Sequence, residues 1–321
     1  MNKKLIALGL SVLTAFTLLT GCGSEKKEAA APPLKELKVT YVKSPLNIPS
    51  IVDKNNQTLV KEFGKDKITV TFPEINSGAK QTEALASGSL DVCSALGGTS
   101  AILAASNGAD VKVVGIYSRA PKAFNIMVTD PAIKTAADLA GKKVAGPKGT
   151  ILHQILVAAL DKAQLKPDAV DFVSLGIPAS VNALMSGEVD AALVAGSDVL
   201  RAQKAGARVL ASGEGLVDAT IVIGVSGKLL KEHPEVVKKY LAVHQQNIDF
   251  MNKEQDKAFE FTAKETGLSM DEVKAMAPWY DFSTKLTEAD LKDLEATQDF
   301  LLKMGMQKNK IEIKGLLAEV K

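Results

Sequence analysis

The chain has 321 residues, 46% of them hydrophobic and 24% charged, with a formal net charge of +2. That length allows two domains or one large α/β unit around a packed core. The near-neutral balance excludes the electrostatic footprint that nucleic-acid binding requires.

The first 22 residues, MNKKLIALGLSVLTAFTLLTGC, set Lys3 and Lys4 before an apolar run from Leu5 to Leu19. The run is shorter than the ~20 residues of a spanning helix, and residues 1–21 read as a secretory leader. Leu19-Thr20-Gly21-Cys22 resembles the lipobox of bacterial lipoproteins, in which the chain is cut before the Cys and the thiol carries a diacylglyceryl group. Residues 22–35 are polar, small and Pro-containing, the composition of a flexible tether. Loss of 1–21 also removes Lys3 and Lys4 and leaves a formally neutral chain. The one remaining cysteine, Cys93, sits in an apolar strand-like run and reads as a buried, inert thiol.

Strands and helices alternate from there on. LKVTYVK (37–43) alternates and is β-rich, a first strand. IVDKNNQTLVKEFG (51–64) has helical spacing and stops at Gly64. A strand at 67–75, a helix at 77–88, a strand in LDVCSAL, a helix from Gly98-Thr99-Ser100 and a strand at 111–117 come next. The order then restarts: strands at 123–129 and near 143–145, a strongly apolar helix at 150–165, a strand at 169–175, a helix at 178–187, a strand at 189–196, a helix in SDVLRAQKAG and a strand at 207–212. This alternation predicts mostly parallel sheets covered by helices. A strand at 219–225 leads into a long helix after Pro234. The remainder is helical, with Ser269 and Thr287 as predicted caps. Having no sheet of its own, this tail must pack on an existing layer.

Two short stretches repeat. ALASGSLDV (84–92) and ALMSGEVDA (183–191) share Ala-Leu-x-Ser-Gly-x-x-Asp, with Asp190 lying 99 residues after Asp91. Each reads as the end of a helix, a Gly that stops it, and the Asp that opens a buried strand. Their matched contexts point to two similar lobes.

These stretches, with GGTSAILAASNGADVKVV, AADLAGKKVAGPKGTILHQILVAALDKAQL and LTEADLKDLEATQDFLLKMGM, resemble the solute-binding proteins of ABC importers in the nitrate, taurine and alkanesulfonate group. The likeness spans roughly residues 36–315. It implies an α/β, type II periplasmic-binding-protein fold: two α/β lobes joined by hinge strands, with a ligand cleft between them. Lobe 1 would comprise 36–124 and 226–321, and lobe 2 residues 125–225. The implied function is that of an extracytoplasmic, lipid-anchored importer component. It would bind a small organic acid or oxyanion and deliver it to a membrane permease with its ATPase. The chain is expected to act as a monomer, without cofactor or metal. A heterocyclic vitamin precursor as ligand, or a non-transport sensor on the same fold, are the alternatives.

In open α/β sheets ligands lie beyond the carboxyl ends of strands. Helix N-termini there offer free N–H groups and a partial positive charge, which suit anions. The chain supplies Ser44, Leu46 and Asn47 after the first strand, Ser77 after the second, and Gly98, Thr99 and Ser100 after the third. In the second lobe it supplies Gly149, Thr150, Ser197 and Asp198. His153 at the third position of the Thr150 helix and Tyr117 at a strand end are further candidates. Arg119 reads as a surface charge and Trp279 as a packing residue. The AGSD turn departs from the aromatic-acidic-Pro turn of alkanesulfonate binders. It makes a smaller contact or, through Asp198, a partner for an ammonium or hydroxyl. An exported hydrolase is disfavoured. G-x-S-x-G is missing, since Gly224-Val225-Ser226-Gly227 breaks it. H-E-x-x-H is missing too, and only His153, His233 and His244 are available.

Overall fold

A computed structural model describes residues 31–44 and 46–320. The expected leader, the lipid-bearing Cys22 and most of the tether lie outside the described residues. From Pro33 onward the chain forms one compact unit.

The first layer starts with strand β1 (Glu36–Lys38), helices α1 (Ile48–Asn56) and α2 (Thr58–Gly64), and strand β2 (Thr69–Thr71). Helix α3 (Gly78–Ala86), strand β3 (Val92–Gly97), helix α4 (Gly98–Ser106) and strand β4 (Val111–Arg119) complete it. The single helix expected over 51–64 is two, because Gln57 adopts φ 54° and turns the chain between them. The second layer holds β5 (Phe124–Val128), β6 (Lys143–Gly146), α5 (Ile151–Lys162) and β7 (Asp171–Ser174). It continues with α6 (Ile177–Ser186), β8 (Ala191–Ala195), α7 (Ser197–Lys204) and β9 (Arg208–Ser212). Strand β10 (Thr220–Ser226) returns to the first layer. Beyond it come helices α8 (Gly227–Glu232), α9 (Pro234–Lys253), α10 (Gln255–Thr266), α11 (Met270–Met276) and α12 (Glu288–Lys303).

The two layers share one topology. Parallel β1 and β2 join the β3-β10-β4 sheet through the Val39–Val92 bridge and a 2.9 Å bond from Thr40 N to Val92 O. The spatial order is therefore β2-β1-β3-β10-β4. The second sheet runs β7-β6-β8-β5-β9. In each, three parallel strands are followed by one antiparallel strand, β10 or β5, and then by an edge strand. The edge and antiparallel strands meet the two chain crossings, at residues 120–123 and 213–219. Ala219, fully buried, turns the second crossing at φ 54°.

The repeated sequence has one structural job in both layers. Gly88 (φ 72°) and Gly187 (φ 76°) end α3 and α6 in the left-handed conformation that only glycine takes without strain. Asp91 N donates to Lys38 O at 3.0 Å, and Asp91 Oδ2 accepts from Lys38 N at 2.9 Å. Asp190 does the same to Lys143, at 2.8 Å both ways. Each Asp thereby fixes the third strand in the spatial order of its sheet against the second, β3 against β1 and β8 against β6.

The tail packs mainly on the first layer. Arg119 Nε and Nη2 donate to Asp290 Oδ1 and Oδ2, both at 2.6 Å, and Nη1 donates to Asp281 at 3.1 Å. Arg119 is thus an internal tie, not the solvated charge expected. Ser269 and Thr287 form full capping boxes with Glu272 and Asp290, in agreement with their spacing. No described helix is long and apolar enough to cross a membrane.

Candidate functional site

The carboxyl ends of both sheets face one cavity of about 1010 Å³. Besides Asn47 before α1, where the Ser50 N–H is taken by the Tyr117 hydroxyl at 3.3 Å, five helix starts reach its wall: Ser77 before α3, Gly97 before α4, Thr150 before α5, Gly176 before α6, and Ser197 opening α7. None of these five helices has a side-chain cap bond. Side-chain caps do occur at Ser226, Ser269 and Thr287, none of which lines the cavity. At Thr150, Oγ1 donates back to Pro147 O at 2.8 Å and accepts from no N–H of α5. Uncapped helix starts carry free N–H donors and partial positive charge.

Three lysines on the wall, Lys43, Lys80 and Lys148, make no ion pair among the described residues. Lys80 sits in the first turn of α3, where the helix dipole disfavours a cation. The wall also holds Asp198, whose carboxyl is raised by burial against the pull of Arg201 at 3.0 Å. Two more carboxylates, Glu74 and Glu83, and several small polar side chains share the wall with apolar ones, including Ile151, Leu175, Ile177 and Ile221, and Phe124 is the one aromatic among the described lining residues. The arrangement suits an anionic group attached to a modest apolar body.

The profile of the NMT1/THI5-like family matches residues 62–258. The chain belongs to that family. A Bacillus subtilis (strain 168) protein, provisionally named an aliphatic sulfonates-binding protein, is 28% identical over 315 residues, covering 96% of this chain and 94% of that one. The taurine-binding periplasmic protein of Escherichia coli (strain K12) is 32% identical over 196 residues, 60% of this chain and 59% of its own. Among solved structures, the alkanesulfonate-binding protein SsuA from Xanthomonas axonopodis pv. citri, bound to MOPS, superposes with a TM-score of 0.81 at 25% identity. That match covers 91% of this chain and all of that one. The fold of this NMT1/THI5-like protein is thus the periplasmic-binding-protein fold, two α/β lobes with a cleft between them.

Of the residues singled out from the sequence, Ser44, Asn47, Ser77, Ser100, Thr150, Ser197 and Asp198 lie on the cavity wall. The other six lie off it. Leu46 is fully buried in the main core. Gly98 is packed where an added Cβ would meet Leu294 at 2.8 Å and Thr220 O at 3.1 Å. Thr99 donates to Gln154 of the facing lobe, and Gln154 reaches Thr297 at 3.3 Å. Tyr117 is fully buried, its hydroxyl bonded to Ser50 Oγ at 2.9 Å and its ring stacked on His244. Gly149 (φ 70°) presents its carbonyl to Ser100 Oγ at 3.0 Å, which ties the two lobes beside the cavity. His153 packs on Phe172 and accepts from Gly149 N at 3.3 Å; burial first, then Lys148, lowers it to about 4. Position after a strand or near a helix start did not tell which way these side chains turn.

The sequence reading placed this helix at 178–187 but left its start, Gly176-Ile177-Pro178, out of the candidate site of this NMT1/THI5-like chain. It also missed Lys43, Lys80, Lys148 and Arg201, isolated charges with no pattern around them. Cys93 is fully buried and burial pushes its thiol up. No cluster of metal-binding side chains occurs among the described residues.

Proposed function

We propose that this protein is the extracytoplasmic solute-binding component of an ABC importer, closing its two lobes on a small organic acid or oxyanion, a sulfonate above all. The observation that carries the reading is the set of five uncapped helix starts on one cavity, drawn from both lobes. The full-length likeness to a protein named for sulfonates supports it. Lobe 1 corresponds to 36–124 with 226–321, and lobe 2 to 125–225. The protein binds without turning its ligand over: His153 and His244 are held neutral by burial near pKa 4, and Cys93 is a buried thiol. It works as a monomer with a permease and its ATPase, held to the membrane by a lipid on Cys22. Cys22→Ser removes lipid labelling; unchanged labelling contradicts the anchor.

Thr150→Asp tests the site. Asp is a good helix cap, so the unliganded melting temperature stays near that of the parent. The new charge sits at the start of α5, where the ligand's charge belongs. Calorimetry with the tightest-binding sulfonate is expected to show affinity reduced by at least about a hundredfold, ~2.7 kcal/mol. Unchanged affinity moves the anion away from α5.

A further inference from the structure

Helix α5 packs on β5 and β8 of its own sheet, yet its other side is seated on lobe 1 from before its first turn to its last. At the start, Gly149 O accepts from Ser100 Oγ at 3.0 Å. Ile151 lies so close to Gly97 that a Cβ there would meet its Cδ1 and Cγ1 at 3.1 Å. In the middle, Gln154 is 3% exposed and uses both ends of its amide. Its Oε1 accepts from Thr99 Oγ1 of α4, and its Nε2 donates to Thr297 Oγ1 of α12 at 3.3 Å. Both threonines are buried. At the end, Lys303 Nζ of α12 reaches the two oxygens of Asp161 at 3.1 and 3.0 Å. One turn beyond Arg201 of the cavity wall, the lobes meet differently. There Lys204 of α7 pairs with Glu272 of α11 at 2.5 Å, through side chains 72% and 20% exposed. Continuous buried contacts stay formed when a protein opens locally, whereas an exposed ion pair exchanges with water at little cost.

We infer that Gln154 is a positioning residue, which does not line the cavity but holds the start of α5 on lobe 1 whether or not the cavity is filled. Its amide suits this role, since it offers one acceptor and donors, and two separate lobe-1 helices meet them. Helix α5 is then the pivot. It stays on its own sheet and on lobe 1, and the rest of lobe 2 turns about it. The starts of α3, α4 and α5 form a half-site that is in place before the ligand arrives. The starts of α6 and α7 come onto it as the lobes close, and the Lys204–Glu272 pair forms with that closure. This rests on the anion-binding function proposed for the cavity and adds which part of the site moves. A half-site ordered in advance lowers the entropy that binding must overcome.

Distances between paired spin labels test this, in a Cys22→Ser chain whose one native thiol is the buried Cys93. One pair, Lys162→Cys with Ala296→Cys, spans α5 and α12; the other, Gln203→Cys with Asp271→Cys, spans α7 and α11. All four positions are exposed, and none takes part in the contacts above. Without ligand, the α5–α12 distance is expected to be one narrow population and the α7–α11 distance a broad one. Ethanesulfonate, propionate and nitrate are then added in turn. At least one is expected to shorten the α7–α11 distance by more than about 2 Å, while the α5–α12 distance moves by less. In Gln154→Met the narrow α5–α12 population is expected to be lost; in Thr99→Ser, which keeps the hydroxyl, it is retained. An α5–α12 distance as broad as the α7–α11 distance, or moving as far, overturns the pivot without any substitution at the contact. A narrow population that survives in Gln154→Met overturns the role of Gln154. If no anion changes either distance but the narrow population is lost in Gln154→Met alone, the seating of α5 stands and the anion-binding function falls.

Discussion

The two repeated stretches use the same atoms for the same purpose and then diverge. After Asp91, β3 ends in Gly97-Gly98-Thr99-Ser100, a turn that reaches the cavity at Gly97 and Ser100 but uses its hydroxyls for contacts between lobes. Thr99 reaches Gln154 and Ser100 reaches Gly149, while Gly98 packs on Leu294 within lobe 1. After Asp190, β8 ends in Gly196-Ser197-Asp198, and Ser197, Asp198 and Arg201 all face the cavity. The repeat marks the frame, and the chemistry lies in the turn at the far end of each strand. The sheets differ in the same way at their edges. In lobe 1 the tail covers β4, through the Arg119–Asp281 and Val113–Leu317 bridges. In lobe 2 the equivalent strand β9 pairs only with β5 among the described residues.

The largest effect should come from that edge. Arg119 pairs with Thr220 on the antiparallel strand as Ser212 pairs with Asn125, so the two are matched positions. Asp290 is only 3% exposed at its side chain. Burial alone would raise its carboxyl, but the Arg119 and Thr287 hydrogen bonds carry it below its ordinary range. Arg119→Ala leaves this charge buried and unpaired, an expected loss of about 3–5 kcal/mol. Ser212→Ala is expected to stay within about 0.5 kcal/mol. Chemical denaturation measures both; equal losses would mean that the tail does not distinguish the two edges.

The second effect has the opposite sign. Asp53 and Leu156 are the sixth residues of α1 and α5, the first long helix of each lobe. Leu156 is an ordinary core residue, 1% exposed, but Asp53 is a carboxyl 5% exposed. Burial raises it to about 6, against the bonds from Leu59 N and Asn247. A carboxyl with a raised folded value holds its proton more firmly when folded. Its contribution to stability is therefore lost as pH rises from about 4, the unfolded value, through about 6. Asp53→Asn keeps the oxygen that accepts those two bonds and removes the charge. At pH 7.5 it should be more stable than the parent by about 2–3 kcal/mol, with the gain vanishing near pH 4. A gain that does not change with pH would show that Asp53 titrates normally.

How much of this was legible in the sequence depends on the kind of signal each feature leaves. Glycine stops, strand hydrophobicity and the Ser269 and Thr287 boxes act within a few residues, so the element order could be read directly. The break at Gln57 left no trace, because KNNQ is as acceptable in a helix as out of one. The wall residues Ser44, Ser77, Thr150 and Ser197 were found because a turn after a strand must face the cleft. Tyr117 and His153 were misplaced because the direction of a ring at a strand end or in a first helical turn depends on which neighbours need filling. Here those neighbours are His244 and Phe172.

The smallest effect separates the two aspartates themselves. Both accept from a neighbouring-strand N–H, Lys38 of β1 or Lys143 of β6, so removal of either carboxylate leaves a backbone donor without its partner. The joints differ in access to water. The Asp190 side chain is 37% exposed, and water can replace it at Lys143 N. Asp91 is partly sheltered, and burial raises its carboxyl despite the Lys38 bond. Loss of a buried partner costs about 1–3 kcal/mol, whereas an ordinary hydrogen bond contributes about 0.5–1.5 kcal/mol. Asp91→Ala should therefore fall in the first range and Asp190→Ala in the second, both measured by urea unfolding at pH 7. The Asn variants, which keep an acceptor oxygen at the same place, are expected to recover most of each loss. If Asp190→Ala proves the more damaging, solvent access does not set the difference, and the two joints are unequal for a reason in the strands they hold.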